Sequence, residues 1–408
     1  MGQNLVKRYR ENENFRLAVN VMLIWLCSRV FFLLVAAIFN VVNGTDSTFT
    51  ELLNQWDCKR YNYIVEHGYT FPNDEDPQAN WAFFPMYPLV CMAVKTVTFG
   101  LADTYHVGMF VSNACVIIAS FFSLKLVNYR AVCKAGENGK SGECVAGGRA
   151  DRDAWFPSLF MLAGPYSFYM AGMMTEAMFA MFIVLFFYFC KKKKYVPAGI
   201  MAACASATRI VGCILVFALV IEMYQDICPG RLSFAGIKKY ILDVLKTPKK
   251  MLSILICPLG IFGYMTFLYF FCGDAWAFKS VQIAWRDENY FPIVGVLWKA
   301  CTGQIEPRYT YMGWLCIFFI GTYIYMIYKK RYAMGVFGLI TLLIPLTSHV
   351  MSTCRFTLGT YVFLVGASDM LHCFGQKIKW LRSAVYGLLF VGSVILLCMW
   401  YMSSAWLL

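Results

Sequence analysis

Charged residues are scarce in this sequence. Asp, Glu, Lys and Arg make up 14% of its 408 residues and hydrophobic residues 60%, whereas roughly a quarter of the residues in a soluble globular protein are charged. Apolar runs of about 17 to 25 residues, long enough to cross a hydrocarbon core of roughly 30 Å, recur from Leu17 to Val42, from His106 to Tyr129 and onward to Leu408. This composition excludes a water-soluble protein and predicts an all-α integral membrane protein.

Histidine is also scarce, and the cysteines are misplaced for a metal site or a disulfide framework. The chain holds 4 His, and no Cys or His pair has zinc-ligand spacing in a polar segment. Most of the 17 Cys, such as Cys27, Cys115 and Cys213, lie inside apolar runs, where cysteine acts as a small hydrophobe. We therefore expect no metal and no cofactor. Internal repeats and linkers are missing too, so residues 1–408 are predicted to form a single membrane domain.

Acidic residues are outnumbered by basic ones, 23 to 36, which gives a formal net charge of +13 at pH 7. Such a charge can indicate a nucleic-acid partner, but here Lys and Arg are grouped between apolar runs. By the positive-inside rule these groups mark cytoplasmic loops, so we expect no nucleic-acid partner. The groups are Lys7–Arg16, Arg130–Arg152, Lys191–Lys194, Arg231–Lys250, Lys329–Arg331 and Lys377–Arg382.

If every basic group is cytoplasmic, an even number of spans must separate consecutive groups. Three apolar runs lie between the first two groups, so one of them cannot cross. We expect this to be Trp81–Leu101, which contains prolines and Lys95, and to form a juxtamembrane element of a large outer loop at about 43–105. A second outer loop is expected at about 273–310. The chain then has about eleven spans, with the N-terminus inside and the C-terminus outside. They are placed at 17–42, 106–129, 154–172, 173–190, 196–208, 210–225, 251–272, 311–328, 333–350, 356–373 and 383–402.

Charged residues beside apolar spans are expensive to bury and are candidates for function. On this topology the candidates at the outer ends of spans are Asp57, Glu66, Glu176, Arg209, Asp274, Arg286, Arg308, His349 and Arg355. Asp57 directly follows Trp56 at the start of an amphipathic helix, where a carboxylate can meet an acceptor hydroxyl and act as a general base. The same pattern also fits an Asp that caps a helix within an interfacial aromatic belt.

Five short blocks follow one another along most of the chain. The first is Trp56-Asp57-x-x-x-Tyr61, continued by Gly68-Tyr69 and by Phe83-Phe84-Pro85-Met86-Tyr87-Pro88. The others are Pro165–Tyr169 with Thr175-Glu176, Ala205–Gly212 with Arg209, Gly273–Phe278 with Gln282, and Cys354-Arg355-Phe356. Together the blocks resemble the GPI mannosyltransferase 2 family, which adds the second mannose in GPI-anchor assembly, and its bacterial relatives. Met174, Ala275 and Cys354 depart from the family's usual residues.

The resemblance implies a glycosyltransferase of the GT-C type, in which a large first extracytoplasmic loop carries juxtamembrane helices. It implies a dolichyl or polyprenyl phosphate mannose donor, a glycan or glycolipid acceptor, contact with membrane lipid, and room for a small membrane subunit. It also implies that Asp57 is the catalytic residue. The residues implied in substrate binding are Trp56, Tyr61, Glu176, Arg209, Asp274, Gln282 and Arg355.

The expected mechanism is an inverting single displacement. Asp57 would accept the proton of the attacking hydroxyl, while the leaving phosphate moves toward Arg209 and Arg355, because fixed guanidinium groups can hold a phosphate bidentately. Glu176 and Asp274 would hold sugar hydroxyls or orient the arginines. Each residue also has a structural alternative. The arginines fit snorkelling at span ends, Glu176 fits a helix-start carboxylate, and Asp274 fits a helix cap.

Two other functions remain open at this stage. A related enzyme could transfer another sugar, or could move mannose onto a bacterial glycolipid or wall polymer. A lipid or solute transporter would also have apolar spans and buried charges, but transporters commonly have repeated halves and charges at mid-membrane. A purely structural subunit would not need charges gathered on one leaflet. The location would be the endoplasmic reticulum membrane in a eukaryote and the plasma membrane in a bacterium, with the site on the lumenal or extracytoplasmic face.

Overall fold

The computed structural model describes residues 2–72, 79–136, 152–229, 233–281, 293–347, 349–378 and 380–407. Over these residues the regular structure consists of α-helices and short 3-10 helices, so the predicted all-α class is confirmed for this part of the chain. The α-helices are α1 Gly2–Glu11, α2 Glu13–Asn43, α3 Phe49–Leu53, α4 Asp57–His67, α5 Met86–Val97, α6 Thr104–Gly136, α7 Phe156–Ala163, α8 Glu176–Lys191, α9 Tyr195–Thr208, α10 Leu215–Ile227, α11 Phe234–Lys246, α12 Pro248–Ile256, α13 Leu259–Cys272, α14 Ala277–Ser280, α15 Ile293–Cys301, α16 Thr310–Tyr328, α17 Tyr332–Leu346, α18 Thr353–Gly359, α19 Val362–Lys377 and α20 Leu381–Tyr401.

Five segments are long and apolar enough to cross a membrane, which needs about 20 residues. They are Glu13–Asn43, Thr104–Val127, Ile210–Ile227, Pro307–Tyr328 and Leu381–Tyr401. The pair α12 and α13, bent by 45°, makes a sixth if it counts as one span. The described chain therefore has the helices of an integral membrane protein, while the count of eleven stays a prediction.

Two further expected spans, besides the bent pair α12 and α13, are broken helices. The run 154–172 forms α7, of 8 residues, and then leaves the helix at Gly164-Pro165 before a 3-10 turn, because proline cannot donate the next helical hydrogen bond. The run 356–373 is divided between α18 and α19 at Tyr361, whose φ is 62°. These breaks, together with extended backbone at Arg209, place helix ends in the interior of the molecule.

The centre of the fold is α8, which packs between α6 and α9 and buries most of its side chains. The helix α9 also packs closely, backbone against backbone, on α12 and α13. A Cβ added at Gly199 would come within 2.5 Å of the Ser253 carbonyl oxygen, and one at Gly260 within 2.0 Å of the Ala203 carbonyl oxygen. Small residues of this kind let membrane helices approach closely. This close packing fixes the position of the C-terminal end of α9, and Arg209 directly follows that end.

The large loop between α2 and α6 folds onto this core. Cys58, Tyr61, Ile64 and Val65 form the buried face of α4, with the spacing of one side of a helix, and α4 packs against α5 and α6. With 12 residues, α5 is about 18 Å long, and the placement of the run 81–101 in the outer loop stays a prediction. The packing of α4 brings its first residue, Asp57, to the edge of the core.

Candidate active site

The backbone changes direction sharply where α4 begins. Trp56 precedes the helix with φ 54° and ψ −115°, a conformation that is costly for a residue other than glycine. Asp57 is the first residue of α4, and its Oδ2 accepts a hydrogen bond from Arg355 Nη1 at 2.6 Å. The Asp57 side chain is 32% exposed and that of Arg355 is 6% exposed. Asp57 therefore faces a buried cation from a distant part of the chain, which the capping alternative does not explain.

Arg355 joins two carboxylates. Its Nε donates a hydrogen bond to Glu176 Oε1, and the same oxygen accepts one from Arg209 Nη2 at 3.0 Å. Asp57, Glu176, Arg209 and Arg355 thus form a continuous ion-pair network, called the four-residue cluster below. Its formal charges cancel, and this allows Glu176 to be buried as an ion, because an unpaired buried charge is far more costly.

Aromatic rings flank both guanidinium groups. The guanidinium carbon of Arg355 lies 5.3 Å from the centre of the Tyr169 ring, and that of Arg209 lies 5.0 Å from the centre of the Phe356 ring. Tyr169 in turn packs edge-on against Trp400 of the last helix. Cation–π contacts of this geometry stabilise a desolvated cation. They also hold the arginine planes in place at the ends of the broken helices.

Tyr61 packs beneath the cluster, one turn into α4. Its ring contacts Phe83 and Tyr87 edge-on, with ring centres 5.2 Å and 5.4 Å away. Burial raises the pKa of the Tyr61 phenol above its ordinary value, and the nearby Arg209 guanidinium offsets only part of this effect. Tyr61 therefore keeps its proton at neutral pH.

Several polar atoms near the cluster are buried without a hydrogen-bond partner in the described part of the chain. They include the indole nitrogen Nε1 of Trp56 and the second carboxylate oxygen, Oε2, of Glu176. Buried polar groups in native proteins are nearly always paired with protein or with water. A donor and an acceptor left unpaired beside a buried ion-pair network are what a site for a hydroxyl-rich or anionic ligand would contain.

Asp274, the other acid in a predicted motif, lies in a different setting. It is exposed, and its side chain accepts hydrogen bonds from the Trp276 backbone N–H at 2.8 Å and from Ser280 Oγ at 3.5 Å. These bonds fix the turn before α14, whose N-cap is Trp276 and not Asp274, and none of them joins Asp274 to the four-residue cluster. Gln282, also predicted to bind substrate, and Arg286 lie outside the described residues.

The remaining charged candidates pair locally. Glu66 bonds Lys95 and Thr104, and Arg308 pairs with Glu306. Among the residues that the structure describes, no three His, Cys, Asp or Glu side chains are grouped closely enough to hold a metal ion. Of the described charges expected near one leaflet, the structure brings Asp57, Glu176, Arg209 and Arg355 together, whereas Glu66, Arg308 and Asp274 make separate contacts. His349 packs edge-on against Tyr309.

Two contributors were missed by the sequence analysis. Tyr169 belongs to one of the motif blocks, so its position in the blocks was a usable signal. Asn54 accepts a hydrogen bond on its side-chain oxygen from the Met173 backbone N–H at 2.8 Å. This bond ties the segment before Asp57 to the segment before Glu176, and nothing in the local sequence marks it. Asn54 therefore helps to position the two carboxylates of the cluster.

Comparison with known proteins finds relatives that carry the name of the family that the motif blocks resemble. The chain is 20% identical over 244 residues, 60% of its length, to GPI alpha-1,6-mannosyltransferase 2 of Rattus norvegicus, and covers 46% of that protein. It is 23% identical over 164 residues, 40% of its length, to the protein of the same name from Cricetulus griseus, and covers 30% of it. The predicted resemblance is confirmed. The chain spans less than half the length of these relatives, and no family model matches it.

Proposed function

We propose that this protein is a membrane mannosyltransferase that transfers mannose from a dolichyl or polyprenyl phosphate mannose donor to a lipid-linked or glycan acceptor. The observation that carries the proposal is the four-residue cluster, which combines one part-exposed carboxylate with two buried or nearly buried arginines. The two relatives are named as GPI alpha-1,6-mannosyltransferases, and this name supplies the sugar and the reaction class.

The arginines would bind the phosphate of the donor. A guanidinium has five N–H donors, and Arg355 uses two of its donors on carboxylates while Arg209 uses one. N–H groups on both arginines thus remain for phosphate oxygens. A phosphodiester that becomes a monoester gains a second negative charge as it leaves, and preorganised cations stabilise charge that develops in the transition state.

Asp57 would act as the general base. The acceptor hydroxyl oxygen forms a bond to the anomeric carbon of the mannose as the bond from that carbon to the phosphate oxygen breaks. The electron pair of that bond stays on the phosphate, and the hydroxyl proton goes to Asp57. Donor phosphate bound to Arg355 would compete with Asp57 for the guanidinium and release the carboxylate for this proton transfer.

Trp56 and Glu176 would hold the sugars. Trp56 offers the unpaired indole N–H in the residue next to the base, and Glu176 offers Oε2, the oxygen that the arginines do not bond. Tyr61 would line the site, with its ring held against Phe83 and Tyr87. The reaction would need no metal and no separate cofactor, because the donor carries its own activated leaving group.

The experiment that tests the proposal is an assay of the purified protein with labelled polyprenyl phosphate mannose and a panel of mannosylated glycan and glycolipid acceptors. We expect label in the acceptor, and less with polyprenyl phosphate glucose as donor. Transfer of glucose but not mannose would assign another sugar. Movement of the lipid across a vesicle membrane without transfer would contradict the enzyme assignment.

The site would face the endoplasmic reticulum lumen in a eukaryote or the outside of a bacterial cell. This side follows from the basic groups, which include Lys191–Lys194 at the opposite end of α8 from Glu176. In sealed vesicles, a cysteine introduced at Lys192 should react with an impermeant reagent from the cytoplasmic side, and one at Asp103 from the other. The reverse pattern would invert the proposed orientation.

A further inference from the structure

One helix carries an apolar surface that stays exposed among the residues the structure describes. Phe234, Ile237, Ile241 and Leu245 of α11 recur at spacings of three or four residues, which places them on one side of the helix. All four are exposed, Phe234 by 87% and Leu245 by 63%. Large exposed apolar stripes of this kind mark a site that meets a membrane or a partner.

The side of α11 next to the stripe holds the helix against the membrane domain. Gly236 and Val244 are buried, and the Tyr240 ring packs edge-on against Tyr224 of α10 with their centres 6.1 Å apart. Asp243 accepts a bond from Lys250 at 2.5 Å. These contacts fix the orientation of α11, and in this orientation its apolar stripe faces outward.

The position of α11 in the chain limits what can cover the stripe. Only Thr247 separates it from α12, the first half of the bent apolar pair that can cross the membrane. The C-terminal end of the stripe, at Leu245, is therefore only a few residues from the segment that can cross the membrane, and a residue adds only about 1.5 Å along a helix.

Lysines border the stripe. Lys238, Lys239 and Lys246 are exposed on α11, and Lys249 is exposed just beyond it, whereas the one acid of α11, Asp243, is paired. Helices that combine an apolar face with lysines on the polar side lie in the membrane interface and are attracted by anionic lipids.

We propose that α11 lies flat on the membrane, with Phe234, Ile237, Ile241 and Leu245 at the acyl-chain boundary and its lysines on the head groups of anionic phospholipids in the same leaflet. This surface is separate from the four-residue cluster and does not depend on the reaction proposed for it. The helix would anchor α10 and α12 to one leaflet, which fixes the depth of the α9 to α13 region.

A photochemical test reads the occupant directly. The full-length protein carries the photoreactive residue p-benzoylphenylalanine at Ile241, at Leu245 or, as a control, at Lys239, which lies on the other side of α11. Each form is placed in nanodiscs of phosphatidylcholine with a minority of phosphatidylserine, irradiated, and analysed by mass spectrometry for covalent adducts. A normal size-exclusion profile confirms that each form is folded.

We expect lipid adducts from positions 241 and 245 and few from 239. Phosphatidylserine should be enriched among the adducts about fivefold over its share in the nanodisc, which is the effect of one lysine near an anionic surface. The double substitution Lys238→Gln and Lys246→Gln should remove the enrichment but keep the adducts, whereas Lys279→Gln, at an exposed lysine outside α11, should change neither.

Three results would overturn the proposal. Equal lipid labelling from 239, 241 and 245 would mean that the stripe has no preferred orientation to the bilayer. Adducts with another polypeptide when the probes are irradiated in native membranes would assign the stripe to a protein partner. Adducts whose lipid composition matches that of the nanodisc would remove the role of the lysines.

Discussion

Asp57 and Asp274 stand in similar sequence settings and have different surroundings in the fold. Each lies in a predicted outer loop, each belongs to a motif block, and each precedes or starts a helix. Asp57 meets Arg355 at 2.6 Å, whereas Asp274 bonds to the turn that contains it. The comparison shows that two motif carboxylates can differ in tertiary contacts. Asp57 joins a candidate site through a cation from a distant part of the chain, whereas Asp274 only bonds residues of its own turn.

The sharpest way to break this comparison is to remove one carboxylate at a time. Asp57→Asn keeps the size of the side chain but loses the basic oxygen, and general-base catalysis contributes about 10²- to 10⁴-fold. We expect mannose transfer to fall by that order in purified enzyme, with donor binding retained. Asp274→Asn is the matched control and should stay close to wild type, because asparagine can still accept the Trp276 bond. The opposite ranking would make Asp274 the base.

The arginines supply the next largest effect. Arg355→Lys keeps the charge but cannot bond Asp57 and Glu176 from two nitrogens of one rigid plane. We expect turnover to fall about 10²-fold, as for loss of one preorganised donor, measured with saturating donor lipid. Arg308→Lys is the control, since Arg308 pairs with Glu306 beside it in the chain. Unchanged turnover and donor affinity in Arg355→Lys would leave Arg355 as a structural ion pair.

The two tryptophans that accompany the two acids allow a finer comparison. Trp56→Phe keeps an aromatic ring and removes the unpaired indole N–H. The loss of one hydrogen bond to substrate should raise KM about fivefold with little change in melting temperature. Trp276→Phe, beside Asp274 on an exposed turn, should leave KM unchanged. An equal KM for wild type and Trp56→Phe would show that the indole nitrogen does not contact substrate.

Glu66 should give the smallest effect. Its bonds from Lys95 and Thr104 lower the pKa of its carboxyl group, so the pair stabilises the fold above the ordinary carboxyl pKa and loses this contribution as the pH falls through the lower folded value. Because part-exposed pairs contribute about 0–1 kcal/mol, Glu66→Gln should lower the melting temperature at neutral pH by less than about 4 °C and leave turnover unchanged. A loss of transfer like that of Asp57→Asn would place Glu66 in the site.

Hydropathy was sufficient to predict the long helices. The runs 17–42 and 383–402 became α2 and α20 with ends a few residues away, because a long apolar helix is the simplest way to satisfy backbone hydrogen bonds in a bilayer. It did not predict the break at Tyr361, although α18 ends at Gly359 just before it, because glycine is frequent inside membrane helices and does not by itself mark a break. The hydropathy of a run depends on its composition and does not show where the backbone leaves the helix.

Only part of the candidate site was predicted, because a local sequence pattern does not specify tertiary contacts. The motif blocks supplied Asp57, Glu176, Arg209 and Arg355, but not which carboxylate meets which guanidinium. Asp57 and Arg355 are 298 positions apart, and their contact depends on the packing of α4 against the core and on the short α18. A local pattern cannot separate Asp57 from Asp274, because the difference between them lies in tertiary contacts.

The most direct test of the account is a structure of the protein bound to a non-transferable analogue of polyprenyl phosphate mannose, in which the position of the phosphorus atom is measured. We expect phosphate oxygens within hydrogen-bonding distance of both Arg209 and Arg355, with the anomeric carbon of the sugar on the side of Asp57. A phosphate bound instead beside Asp274 and Lys279, with the Arg355–Asp57 pair unchanged, would contradict the assignment of the active site.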